Sequence, residues 1–305
     1  MIIDAHTHTF PEKIAARAIG KLSHDANIRA FTDGTMEQLR QSSQGAGVDW
    51  SIVLPVATDP SQVVRINDSS AQINEQLHEN GIFSLGCMHP DFPDYKTELR
   101  RIKRIGLTGI KLHPFFQDTC FDDIRYLRIL SEAAALGLIV VTHAGLDVGY
   151  PGVVRVSPQM CLQAVTQIGP FPLVLAHMGG WGCWEEVADV LPGTGVYLDT
   201  AFCSTPLAVL HRKNPDDPTA SGTEDAAIRP DAAMLPDAPM LPDALFMRLC
   251  NAFGADHILF GSDSPWADQK EALSHIRSLP LSEEHRDMIL GKNAARLFSL
   301  EAAAC

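Results

Sequence analysis

An α/β fold of the (β/α)8 barrel type, a TIM barrel, is predicted for this chain by three observations. Eight short β-rich apolar runs recur along it, helix-forming segments separate them, and metal-ligand-type polar residues stand at the ends of several runs. The runs occupy residues 2–6, 50–56, 82–88, 107–113, 138–143, 173–177, 196–201 and 258–263. Several are nearly continuous in Ile, Val and Leu, the pattern of parallel strands covered on both faces, and the spacers are long enough for crossover helices. Eight such units fit a closed barrel better than an open sheet.

Helix punctuation agrees with this division. Thr35-Met36-Glu37-Gln38 matches a capping box, and Ser157-Pro158 supplies an N-cap followed by proline at the first helical position. Gly106, Gly137 and Gly169 stand where helices should end, just before the next strand. The rhythm breaks after the seventh run, where the chain turns polar and proline-containing from His211 and Pro-Asp-Ala recurs at 230, 236 and 242. A low-complexity insertion over about residues 211–243 is expected there, in the loop after the seventh strand, with a helix starting near Ala244. On the C-terminal face of the barrel such a loop either covers the site or is a solvated excursion without a role. One barrel over residues 1–305 is the domain expectation, although that length also suffices for two modest domains.

Composition narrows the partners. With 46% hydrophobic residues the chain can bury a large core, and its formal net charge of −13 argues against a protein that tracks nucleic-acid phosphates. The densest basic cluster, Arg100-Arg101-Ile102-Lys103-Arg104, reads as a solvated helix end. No run is long and apolar enough to cross a membrane, and the N-terminus lacks the cationic and apolar regions of a signal peptide. The seven cysteines are scattered and form no CxxC pair, which indicates neither a disulfide framework nor a thiolate zinc site. A reducing cytoplasm and a small-molecule substrate, with neither nucleic acid nor membrane as partner, are expected.

The chemistry lies where polar residues fall on the predicted strands. In Asp4-Ala5-His6-Thr7-His8 the side chains at 4, 6 and 8 share one face, and the two imidazoles stand about 6.6 Å apart along the strand at a rise of about 3.3 Å per residue. That spacing lets both converge on one metal ion. His143, His177 and Asp263 each end a predicted strand, at the face of a barrel where active sites lie. One such residue would be a polar strand end meeting solvent; five together point to a site. Three histidines and a carboxylate without a thiolate suit Zn2+ best, with Mn2+, Fe2+ or Co2+ as alternatives, and an open position would bring a bound water's pKa near 7.

Taken in order, these blocks make the sequence resemble the amidohydrolase superfamily, in the amidohydrolase-related branch that includes aminocarboxymuconate semialdehyde decarboxylase. The blocks are Asp4-Ala-His-Thr-His8, Gly109-Ile-Lys-Leu-His-Pro114, Thr142-His-Ala-Gly145, Ala176-His-Met-Gly-Gly180 and Phe260-Gly-Ser-Asp-Ser-Pro-Trp266. The resemblance implies that His6, His8, His143 and Asp263 hold one divalent metal ion and that His177 orients or activates a water, with a homodimer through barrel helices as the family often forms. The closing segment Leu290-Gly-Lys-Asn-Ala-Ala-Arg-Leu-Phe298 is similar to the family's last helix, and Asn293 there reads as structural.

Lys111 and His113, two apart on the predicted fourth strand, would both face the barrel interior. They are expected to neutralise a substrate carboxylate or to hydrogen-bond a leaving group; pairing of Lys111 with buried Asp199 is the structural alternative, and a carboxylated Lys111 bridging a second metal ion is a further one. Arg155 and Tyr150, after the fifth strand, are candidate substrate contacts, and Trp181, Trp184 and Trp266 are candidate walls of the site. The activity implied is hydrolysis of a small amide, lactone or ester by a metal-activated water, with Asp263 carrying the proton to the leaving group. A non-oxidative decarboxylase built from the same residues is the alternative, and a catalytically silent binding barrel is a third reading.

Overall fold

The computed structural model describes residues 1–203 and 240–300. The expected insertion at 211–243 therefore lies, up to residue 239, outside the described residues. Among the described residues, nine strands form the inner wall: β1 (Ile3–Thr7), β2 (Trp50–Val53), β3 (Ile82–Ser84), β4 (Gly86–Cys87), β5 (Gly109–Leu112), β6 (Ile139–Thr142), β7 (Leu173–Leu175), β8 (Tyr197–Asp199) and β9 (Ile258–Leu259). Outside them run α1 (Glu12–Ala26), α2 (Met36–Ala46), α3 (Val63–Glu75), α4 (Leu77–Asn80), α5 (Tyr95–Arg104), α6 (Ile124–Leu136) and α7 (Pro158–Ile168). The outer layer continues with α8 (Trp184–Val190), α9 (Asp243–Phe253), α10 (Gln269–Ser278), α11 (Glu283–Asp287) and α12 (Asn293–Leu297).

Every strand pairing is parallel, in the orders β1-β2-β3 and β4-β5-β6-β7-β8-β9. The eight expected runs correspond to these strands, with one difference: the run at 82–88 is broken at Leu85. Its first part pairs with β2 and its second with β5, while the Leu85 amide donates to the Val53 carbonyl at 3.0 Å. A strand joining two differently inclined neighbours must bend, and the break is where it does so. The ring closes between the last strand and the first: the Ala5 amide donates to Phe260 O at 2.8 Å, Asp263 N to His6 O at 2.9 Å, and His8 N to Ser264 O at 2.7 Å. This TIM-barrel closure sets His6 of β1, and His8 just after it, beside Asp263.

Alternate residues of a strand point to opposite faces, and the core divides accordingly. Ile139 and Val141 of β6 join Ile3, Ala5, Ile52, Val174 and Leu259 in an inner cluster, to which α12 and the residue after it add Ala294, Ala295 and Phe298. Val140 belongs instead to the outer cluster, with Leu99, Ile102, Ile129, Leu130 and Ala164 from α5, α6 and α7. Lys111 is the register partner of Val141, so its side chain also points into the barrel.

The caps follow the sequence with one departure. Ser157 accepts from the Met160 amide at 3.3 Å, and Gly137 ends α6 in the left-handed region at φ 67°. Thr35 accepts from Gln38 N at 3.2 Å, but its own amide donates to Asp33 Oδ1 at 2.9 Å, so the reciprocal half of the capping box is taken by an upstream carboxylate. The helix expected near Ala244 begins at Asp243. No helix of the described residues is long and apolar enough to cross a membrane.

Two glycines differ in what they permit. A Cβ added at Gly137 would have nothing within 4 Å, whereas at Gly145, with φ 87°, it would stand 2.1 Å from the Trp181 amide nitrogen. Gly137→Ala is predicted to cost about 1 kcal/mol, the left-handed penalty alone. Gly145→Ala should cost more than about 3 kcal/mol, because the loops after β6 and β7 must also separate. Urea unfolding of both variants measures the difference.

Candidate active site

The C-terminal ends of β1, β5, β6, β7 and β8 and the segment after β9 open into a cavity of about 1840 Å³, lined near its base by His6, His8, Lys111, His143, His177 and Asp263. Each histidine is held by one ring nitrogen. His6 Nδ1 donates to Asp199 Oδ2 at 2.8 Å, His8 Nδ1 to Leu54 O at 2.9 Å, His177 Nδ1 to Ala201 O at 2.9 Å, and His143 Nε2 to Leu146 O at 2.9 Å. All four partners are acceptors, so in each neutral ring the proton sits on the bonded nitrogen and the other nitrogen keeps the lone pair.

Those lone pairs face one another. His6 Nε2 and His8 Nε2 are 3.2 Å apart, and His143 Nδ1 and His177 Nε2 are 3.1 Å apart. Asp263 Oδ1 lies 3.3 Å from His6 Nε2 and 3.2 Å from His8 Nε2, buried and without a hydrogen bond. Burial, reinforced for His6 by Lys111 and for His143 by His177, holds both rings well below the ordinary imidazole value. Burial alone would raise the Asp263 carboxyl, yet His6 and His8 keep it below the ordinary carboxylate value. The base of the cavity therefore sets two imidazole nitrogens, of His6 and His8, against a buried Asp263 oxygen that has no hydrogen bond, an arrangement that a cation would complete.

The backbone is strained to build this. His177 and Asp263 adopt φ of 60° and 74°, and Met178 and Phe202 are also left-handed, at 52° and 58°. Non-glycine residues in that region cost about 1–3 kcal/mol each, and such strain collects at functional sites. The supports are buried and polar: Asp199 Oδ1 accepts the His177 amide at 2.9 Å, and Trp184 Nε1 donates to His177 O at 2.9 Å. Asp4 accepts from the Ser262 amide and hydroxyl and from Gln269 Nε2, tying β1 to the segment that carries Asp263. Burial pushes the Asp4 carboxyl up to about 6, against the pull of these donors.

The predicted site residues divide by position. His6, His8 and Asp263 present ligand atoms within 4.8 Å of one another; His143 does so with His113 and Asp147. Lys111 Nζ lies 3.3 Å from His6 Nε2, fully buried, and burial lowers it to about 8 against the pull of Asp199 and Asp263. Lys111 thus lies beside the site as well as within reach of Asp199. His113 stacks on Phe116, with centroids 3.9 Å apart and planes inclined by 6°, and Trp266 and Tyr150 line the cavity. Arg155 does not line it: its guanidinium pairs with Asp118 and reaches Cys120 Sγ at 3.9 Å. Two residues that the strand pattern gives no role in the site have clear positions here. Asp199, expected only as a lysine partner, holds the His6 ring, and Asp147 enters the cavity from the loop after β6.

A family model for amidohydrolases matches residues 3–300. The chain belongs to the amidohydrolase family. No curated protein sequence matches it. Among solved structures it is similar to 5-carboxyvanillate decarboxylase from Sphingomonas paucimobilis, with TM-score 0.63 and 16% identity over 98% of both chains. It is similar also to a candidate 2-pyrone-4,6-dicarboxylic acid hydrolase from Pseudomonas putida, with TM-score 0.61 and 15% identity, again over 98% of both chains. A dihydroxybenzoic acid decarboxylase from Polaromonas sp. JS666, with bound manganese and 2-nitroresorcinol, has TM-score 0.61 and 15% identity over 98% of this chain and 97% of that one. At these identities the likeness shows the amidohydrolase barrel fold.

The family is one of metal-dependent enzymes, and the residues here fit a metal ion. Oxygen and nitrogen ligands about 2.0–2.2 Å from one ion stand roughly 2.8–3.6 Å from each other at tetrahedral or octahedral angles. The His6, His8 and Asp263 atoms are spaced at 3.2–3.3 Å. Asp199→Asn is predicted to weaken metal binding about tenfold to hundredfold through loss of the carboxylate that orients His6. Chelator competition measures this. Metal analysis of the purified protein should find about one equivalent per chain, lost in His6→Ala and kept in Lys111→Ala; two equivalents that fall in Lys111→Ala would establish a lysine-bridged pair.

Proposed function

We propose that this protein is a metal-dependent hydrolase of a small amide, lactone or ester, with His6, His8, His143 and Asp263 holding one Zn2+ ion. The observation that carries the reading is the bare Asp263 carboxylate oxygen, buried with no hydrogen-bond partner beside two inward-facing imidazole lone pairs. A bound ion would supply Lewis-acid polarisation of the substrate carbonyl and a lowered pKa for an adjacent water. Asp263 accepts the proton of the attacking water and returns it to the departing nitrogen or oxygen, a role that suits a carboxylate kept ionised inside a buried site. His177, with Nδ1 tied to Ala201 O, accepts a hydrogen bond at Nε2 and orients that water. His177 and Asp263 are buried, so their contacts act at a lower dielectric than in water.

One observation favours a second reading, non-oxidative decarboxylation of a small acid. Lys111 places a buried cationic group 3.3 Å from His6 Nε2, where a substrate carboxylate could be gripped, and two of the similar structures are named as decarboxylases. The same Asp263 carboxyl would then protonate carbon.

Asp263→Asn should retain the fold and lower kcat by about 10²–10⁴-fold, the usual worth of a positioned acid–base group. Screening carbonyl substrates for both acid or amine release and carbon dioxide release separates the two readings. Ring-opened or cleaved products without carbon dioxide support hydrolysis; stoichiometric carbon dioxide overturns it in favour of the lyase.

A further inference from the structure

Outside the proposed metal ligation and proton transfer, a carboxylate that lines the cavity has its bonding incomplete. Asp147, in the loop after β6, spends Oδ1 on the Gly149 amide at 2.8 Å, which leaves Oδ2 with no hydrogen bond among the described residues. Oδ2 lies 3.8 Å from His113 Nε2 and 3.9 Å from His143 Nε2, and all three residues line the cavity. These gaps are too long for direct hydrogen bonds. Asp147 and His113 both line the cavity, where a third polar atom can meet them.

The protonation pattern says what that atom must offer. His113 Nδ1 faces the Phe116 amide at 3.5 Å, which leaves the proton on Nε2. The ring cannot swing away, because it is stacked between Phe116 and His143, with centroids 3.9 Å and 4.6 Å away. His143 Nε2 already donates to Leu146 O at 2.9 Å, so this trio does not offer three free metal ligands. What remains is one carboxylate acceptor and one imidazole N–H donor, 3.8 Å apart and both fixed. A carboxylate placed there would meet Asp147, and a carbonyl or ether could accept but not donate. A hydroxyl does both.

We propose that Asp147 and His113 form a recognition pair for a hydroxyl group of the substrate, and that the natural substrate is a hydroxylated carbonyl compound. The hydroxyl donates to Asp147 Oδ2 and accepts from His113 Nε2–H. The inference rests on the proposed catalytic reading only in the word carbonyl; hydroxyl recognition stands by itself.

The test is therefore a binding experiment on the full chain, with cyclohexanol and phenol as probes and their methyl ethers, methoxycyclohexane and anisole, as controls. Histidine labelled with 15N reports the His113 Nε2 resonance during titration. At least one alcohol should bind about tenfold or more tightly than its ether and shift that resonance, and the preference should fall below about threefold in Asp147→Ala. Whether phenol or cyclohexanol is preferred assigns the hydroxyl as aromatic or aliphatic. Equal binding of alcohols and ethers, no binding of either, or a preference untouched in Asp147→Ala would overturn the proposal. Should that variant not fold, the discrimination by the wild-type chain and its His113 shift decide the matter. Selective binding together with failure of the substrate screen would instead remove the catalytic reading and leave the hydroxyl site.

Discussion

Each of four histidines is anchored through one ring nitrogen to a fixed acceptor, and the rest of the site depends on that constraint. The acceptors are a carboxylate and three backbone carbonyls, so tautomer and ring direction are set by the barrel itself. The lone pairs of His6 and His8 thereby stand 3.2–3.3 Å from an Asp263 oxygen without a hydrogen bond, and those of His143 and His177 face each other at 3.1 Å. Within the chain Lys111 Nζ reaches His6 Nε2 at 3.3 Å, but no hydrogen bond reaches Asp263 Oδ1. A cation would complete the arrangement, which is why the geometry reads as a metal centre and not as a core of satisfied histidines.

The closure of the barrel serves the same end. Hydrogen bonds between β1 and the segment after β9 set the register that places His6 and His8 beside Asp263. Asp4, two residues before His6 and across an irregularity in the β1 register, ties β1 to that segment through Ser262 and to α10 through Gln269. Gly261 allows the approach, since a Cβ there would stand 2.8 Å from His6 Cβ. Left-handed backbone at His177 and Asp263 is the conformational cost of turning both side chains inward, carried by the surrounding hydrogen bonds.

Much of this was legible in the sequence because buried parallel strands advertise themselves. The runs before His143 and His177 are rich in unbroken apolar residues, and a polar residue ending such a run has to emerge at the barrel mouth. What pins the rings was not legible: Leu54, Ala201 and Leu146 act through their carbonyls, which any residue carries. Asp199 had a signal, a carboxylate at the end of the seventh run, but its service to His6 depends on which strand ends meet across the barrel. Arg155, a free cation in the sequence, is paired with Asp118 across a loop contact that no local pattern encodes. Asp147 lies in a loop without periodicity, and only the folded position of His113 gives it meaning.

Membership of the amidohydrolase family and the barrel fold join hydrolases and lyases on one scaffold, so the reaction has to be argued from the site. The central claim is that imidazoles of this chain converge on a single ion. X-ray absorption spectroscopy at the metal edge of the zinc-loaded protein tests it most directly. The account predicts a shell of nitrogen and oxygen atoms near roughly 2.0–2.1 Å with the outer-shell scattering of at least two imidazoles. A sulfur shell near about 2.3 Å, or an oxygen shell without imidazole scattering, would contradict it.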